Sequence, residues 1–139
     1  MRKIIRMAIE AAFAKQYPEY QFRTGFISNI AEGGFDLPCV WLCPLDLDDL
    51  KGRFEGTATY TAIMYLFQSK EHVDTNEYDD VWDRMELEVR KVLNRIIAGN
   101  IRAIEGIHTE VDENAYTGYG ELSLKVSFKV MIDFCNENE

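Results

Sequence analysis

The sequence predicts a single α+β domain, residues 1–139, in which a mainly antiparallel sheet packs against helices on one face. Three observations predict it. Apolar residues recur at helical spacing in residues 2–17 and again in 75–98. In residues 121–134, Leu122, Leu124, Val126, Phe128, Val130 and Ile132 alternate with Glu121, Ser123, Lys125, Ser127, Lys129 and Asp133. That gives one core face and one solvent face, the pattern of an antiparallel sheet covered on one side. Strand-like segments fill the space between and after the helices, so the expected order is α-β-β-β-α-β-β.

The first helix, "RKIIRMAIEAAFAKQY", places Ile5, Ile9, Ala12, Phe13 and Gln16 on one face, and Pro18 ends it. "YQFRTGFIS" alternates Tyr20, Phe22 and Phe26 with Gln21 and Arg23, a strand pattern. "AEGGFD" is a turn in which Gly33 and Gly34 supply positive φ. "CVWLC" is a short strand stopped by Pro44. "CPLDLDDLKGRFEG" is expected as an exposed polar loop held by leucines, with Asp46, Asp48, Asp49 and Lys51 offered outward.

The third strand lies in "FEGTATYTAIMYLF", where Thr57, Thr59 and Thr61 share a face opposite Ala58, Tyr60 and Ala62. Ile63, Tyr65 and Phe67 continue the threonine face, which therefore turns apolar along its length. Something must cover it there, a helix or another subunit, and these three residues are the candidate self-association interface.

For the long helix, Asp74 is the expected cap, with Glu77 completing a capping box and Gly99–Asn100 closing the other end. Acids come first (Asp79, Asp80, Asp83) and bases last (Arg90, Lys91, Arg95), as the helix dipole favours. Asp80–Arg84 and Glu86–Arg90 are spaced for surface ion pairs. "IRAIEGIHTEV" is an irregular strand in which Gly106 marks a bulge. "TGYG" at 117–120 is a hairpin turn, and 135–139 form a polar tail.

A net charge of −9 sets the chain apart from nucleic-acid binders, which need clustered Lys and Arg. No run approaches the ~18 apolar residues of a membrane span, and Arg6 and Glu10 interrupt any leader-like stretch. The charge is uneven: residues 1–23 carry +3 and the remainder −12. Arg2, Lys3 and Arg6 are thus a candidate basic contact, compatible with head-to-tail or ring contacts between like subunits, although a solvated surface is the commoner explanation of such an imbalance. Three cysteines, an odd number, argue for free thiols in a reducing cytoplasm, with Cys39 and Cys43 on one face.

No catalytic or cofactor motif is expected. His72 falls in a loop and His108 in a strand, without metal-site spacing. The acidic run 71–83 has a simpler account than a cation site, because carboxylates at a helix N-terminus are stabilised by exposed amides. The aspartates from Asp46 onward fail the calcium-loop test: Leu50, Lys51 and Thr57 occupy positions that need a ligand, a glycine and a bidentate glutamate.

In its layout the chain resembles the tail terminator and tail-completion (minor tail) proteins of long-tailed bacteriophages and prophages. The residues that carry the resemblance are "LPCVWLCPLDLDDLKG", "FEGTATYTAIMYLFQSK", the Asp-rich helix entry "DTNEYDD" and "AYTGYGELSLKVSFKVMI". The resemblance implies a non-enzymatic structural protein. It would form a homo-oligomeric ring, commonly hexameric, that caps the tail tube, receives the head connector and meets other tail or neck proteins. It would be assembled in the cytoplasm and end in the virion tail, with no cofactor, metal, nucleic-acid or membrane partner. The alternative is a small α+β binding or adaptor module with no virion role.

Overall fold

The computed structural model describes residues 1–135 other than Gly34, Ile97, Ala115, Gly118 and Tyr119. Its elements are α1 (Arg2–Gln16), β1 (Gln21–Thr24), a 3₁₀ segment (Ile27–Glu32), β2 (Cys39–Leu42), β3 (Asp46–Gly52) and β4 (Glu55–Ser69). A 3₁₀ turn (Thr75–Glu77) leads into α2 (Tyr78–Asn94), followed by β5 (Ile101–Asp112) and β6 (Glu121–Cys135). The fold is α+β, with one strand more than the expected order.

The backbone of the sheet is the antiparallel pair β4–β6, in register from Glu55 opposite Cys135 to Ser69 opposite Glu121. Strand order is β1-β2-β4-β6-β5, and β3 lies beside the first half of β4, where β2 does not reach. β1 and β2 are parallel; every other pairing is antiparallel. Gly106 has φ 65° at an irregularity between Glu105 and His108, which bears out the expected bulge.

Both helices pack on one face. Ala58, Tyr60, Ala62, Met64 and Leu66 of β4 and the even-numbered apolar residues of β6 meet Ile5, Ile9 and Phe13 of α1 and Val81, Met85, Val89 and Val92 of α2. For α1, burying Ile5, Ile9 and Phe13 is worth roughly 5–9 kcal/mol, and that burial, not capping, holds it: Met1 makes no side-chain cap and its first turn contains no acid. The helices are antiparallel. Arg2 lies over the Tyr60 ring while Phe13 meets Tyr20 at the other end of the sheet. α2 begins beside Ser123, whose carbonyl accepts from Trp82 Nε1 at 3.1 Å. Its C-terminal side leads into Ile101, opposite Ile132.

The expected capping box does not form. Thr75–Glu77 wind as a 3₁₀ turn, so Asp74 stands before that turn and α2 itself starts at Tyr78 with no side-chain cap. At the other end the helix tightens, with Arg95 N–H bonding to the Val92 carbonyl at 3.2 Å, and it stops at Asn94, before Gly99–Asn100. Nor do the expected ion pairs form: Arg84 pairs with Glu88 at 3.7 Å, and Arg90 reaches the Glu86 carbonyl and Thr109. Residues Gln21–Thr24 are strand, but Ile27–Glu32 coil into the 3₁₀ segment that ends at Gly33, φ 75°. Gly34, the middle of "TGYG" and residues 136–139 of the polar tail lie outside the described residues; Cys135 is the last residue of β6.

Candidate functional site

The predicted interface residues Ile63, Tyr65 and Phe67 stand on the sheet face away from the helices. There the chain covers them itself. Phe67 is fully buried and Tyr65 is 5% exposed, in a second small core with Ile30 of the 3₁₀ segment, Phe35, Cys39 and Trp41; Ile63 packs at its margin. The Tyr65 and Phe67 rings are stacked at 6.2 Å, and Tyr116 leans on both, at 5.4 and 5.9 Å. The apolar half of the threonine face is therefore covered from within, and Tyr65 and Phe67 present no surface to a neighbour.

A carboxylate latch that the sequence reading missed holds this cover down. Glu121, 7% exposed, accepts from Tyr116 N–H at 2.6 Å, Thr117 N–H at 3.0 Å and Thr117 Oγ1 at 2.5 Å. Burial alone pushes its carboxyl up, but the Thr117 and Tyr116 hydrogen bonds outweigh burial and hold it below the ordinary 4.5. Tyr116 in turn donates to Asp112 Oδ2 at 2.6 Å. The alternation in residues 121–134 assigns Glu121 to the solvent face, so the sequence pattern carries no signal of this latch.

The predicted loop Asp46–Asp49 and Lys51 is a strand. β3 pairs with β4 from Asp46 opposite Thr61 to Gly52 opposite Gly56, and all seven of its residues are exposed. An irregularity between Leu47 and Asp49 puts Asp46, Asp48 and Asp49 all on the outward face. Asp48 pairs there with Lys129 at 3.1 Å and Asp49 with Lys51 at 3.8 Å. Leu45 is buried, but Leu47 and Leu50 point to the helix side beyond the helices and are about half exposed, as is Phe54. Leucines do not pin this segment; pairing with β4 does. It forms an arm with one free edge.

Arg2, Lys3 and Arg6 are brought together on the first two turns of α1, at the wall of an open pocket of about 440 Å³. Thr24 and Gly25 at the end of β1 and the Cys43–Leu45 connection form its other walls. Gly25 is required here: its φ is 147°, and a Cβ would lie 3.1 Å from the Trp41 indole, whose Nε1 donates to the Gly25 carbonyl at 3.0 Å. Arg2 is fixed by a 2.9 Å bond to the Leu45 carbonyl and by Tyr60, 5.2 Å below the guanidinium. Lys3 and Arg6 make no ion pair among the described residues. Positive charge at a helix N-terminus opposes the helix dipole, at about 0.3–1 kcal/mol per charge. Arg2 is fixed by these contacts and Arg6 lies one turn from Glu10 at the edge of a neighbouring pocket, while the dipole of α1 favours neither of them nor Lys3.

The acidic end of α2 is the converse. Asp74, Glu77, Asp79, Asp80 and Asp83 are all exposed and none makes an ion pair among the described residues. They suit the dipole of α2. Because the helices are antiparallel, this end and the basic pocket are separated by the stretch of β4 from Tyr60 to Ser69, about 30 Å at ~3.4 Å per residue.

The remaining polar groups are structural in their contacts. Between α2, β4 and Tyr20, Gln68 Nε2 donates to the Tyr20 hydroxyl at 2.9 Å and Tyr20 reaches Glu88 at 3.5 Å. Burial raises the Glu88 carboxyl, with Arg84 pulling the other way. Burial pushes the Cys39 thiol up to about 12 and raises that of the half-buried Cys43 as well, while Cys135 is exposed; all three are free. His72 lies in the turn after β4 and His108 on β5, 3.2 Å from Glu110. Among the described residues no group of three His, Cys, Asp or Glu side chains is placed to hold a metal, and no helix is long and apolar enough to cross a membrane. Compared with models of known protein families and with curated proteins, the chain matches none.

Proposed function

We propose that this protein is a non-enzymatic structural subunit of a phage or prophage tail, assembling into a ring that caps or completes the tail tube and meets the head connector. The observation that carries the reading is the β3–β4 arm. A seven-residue edge strand with every residue exposed is an invitation to pair, and single-chain proteins ordinarily blunt such edges. Here three aspartates, Lys51 and the bulge guard that edge, and the surface left for a neighbour is on the helix side. On the helix side Leu47 and Leu50 are left 46% and 50% exposed, with Phe54 at 48% nearby. Such apolar surface on a projecting element belongs to a protein that is covered by neighbours in its working state. The ring, its contacts with other tail or neck proteins and its place in the virion follow from the resemblance in layout, with the arm supplying the contact.

The test is native mass spectrometry and negative-stain imaging of the purified chain, beside a Leu47→Asp/Leu50→Asp variant. Closed rings are expected for the parent and monomers of unchanged thermal stability for the variant. A strict monomer at high concentration that also ignores purified tail tubes refutes the reading.

A further inference from the structure

Charge on the helix layer is sorted by end, and at the basic end only Arg2 has local contacts that fix it. The acids entering α2 suit their helix. Arg2, Lys3 and Arg6 sit against the dipole of theirs, beside an open pocket, and none of the three makes an ion pair among the described residues; Arg2 is held instead by the Leu45 carbonyl and the Tyr60 ring. Residues that break a local rule without local compensation mark places where something else supplies it. We propose that this basic pocket receives the acidic α2 entry, Asp74 to Asp80, of a second copy of this chain.

The occupant is set by complementarity and by position. The acidic entry is exposed and unpaired; in β3, Asp48 pairs with Lys129 and Asp49 with Lys51, and Asp46, which makes no ion pair among the described residues, follows Leu45 at the pocket's own end of the sheet. The two clusters lie at opposite ends of antiparallel helices. An isologous dimer through either end would place like charges together. A heterologous contact, base to acid, repeats from copy to copy and closes into a ring when the rotation per copy permits. The pocket is open and its wall carries both a fixed donor (Arg2, held by Leu45 and Tyr60) and donors without an ion pair among the described residues (Lys3, Arg6), which suits several carboxylates on one turn. The inference rests on the reading of the protein as a self-assembling subunit, and it adds a charged contact to the apolar one of the β3–β4 arm.

The experiment is charge reversal on the full chain, read by sedimentation velocity. Arg2→Glu/Lys3→Glu/Arg6→Glu and Asp74→Lys/Asp79→Lys/Asp80→Lys are each expected to weaken self-association on the order of 100-fold at low salt, as is typical for opposed charges made alike. An equimolar mixture of the two, and one chain carrying all six changes, should recover association to within about tenfold of the parent. Parent association should weaken by at least about tenfold between about 0.05 and 0.5 M salt. Because lysines at a helix start disturb α2, an Asp→Asn set at the same three positions, with circular dichroism as a check on folding, separates lost contact from lost structure. A parent that assembles while both reversals also assemble overturns this inference and leaves the ring intact. Reversals that abolish assembly without rescue by the mixture overturn it too. Tight binding of inorganic phosphate by the parent, with assembly indifferent to the reversals, assigns the pocket to a small anion instead. A parent that never assembles removes the ring reading itself.

Discussion

Phe67→Ala distinguishes cover from within from cover by a neighbour. The ring is fully buried and sits opposite Cys39 of β2 and Ser123 of β6, with Tyr65 and Tyr116 stacked and tilted against it. Truncating a buried phenylalanine costs ~3–5 kcal/mol, and the two aromatic pairs place this site in the upper half of that range. Domains of this kind are stable by only ~5–15 kcal/mol. The melting temperature should therefore fall by roughly 10–20 °C, at about 3–5 °C per kcal/mol for a chain of this length. Leu87→Ala, at a side chain 72% exposed on α2, is the control and should stay within ~0.5 kcal/mol. Both are read by thermal and urea unfolding, with sedimentation run well below the transition. If Phe67→Ala melts within about 2 °C of the parent while losing self-association, the ring is an intersubunit contact and the account of an internal second core is wrong.

Three further outcomes are expected. Glu121→Gln should lose ~1–3 kcal/mol, because an amide cannot accept the three hydrogen bonds from Tyr116 and Thr117 as a carboxylate does. Since the folded carboxyl lies below 4.5, its contribution is complete above that pH and disappears as pH falls through the depressed value; urea midpoints from pH 6 to pH 3 should show the loss in the parent and a flatter profile in the variant. Glu88 has the opposite sign: its raised carboxyl stabilises the fold below 4.5 and that contribution is lost as pH rises through the higher folded value, so Glu88→Gln should make stability less dependent on pH just above 4.5. Gly56→Ala would set a Cβ 1.8 Å from the Lys51 carbonyl oxygen. Amide exchange across β3 should then accelerate while that of α2 is unchanged, and equal acceleration in both would show that the arm is not a separable unit.

The elements legible in the sequence are those whose periodicity is unbroken. β6 keeps strict alternation for its whole length because β4 pairs with every residue of it. The apolar turn of the threonine face in β4 was equally plain, since it needs only the strand's own residues. β3 was hidden for a physical reason: the irregularity at Leu47–Asp49 shifts the period by one, and aspartates are poor strand formers, so a paired strand reads as a loop. The boundaries of α2 were misplaced because a 3₁₀ turn uses the same residues as a capping box, and hydrogen bonding alone separates them.

The candidate surfaces divide on a different line. Whether Tyr65 and Phe67 face solvent depends on Ile30, Phe35 and Tyr116, between 30 and 51 positions away along the chain, and no local pattern reports that. The basic cluster is different, because its significance is a conflict within one helix. Arg2, Lys3 and Arg6 are visible in the sequence as bases at a helix start, where acids belong. What the fold adds is direction. With α1 and α2 antiparallel, the end that violates the dipole rule and the end that obeys it are about 30 Å apart. A monomer gains nothing from that separation, since its clusters never meet. In the proposed assembly, copies in series would gain from it, because each would carry both halves of a contact that it cannot make with itself.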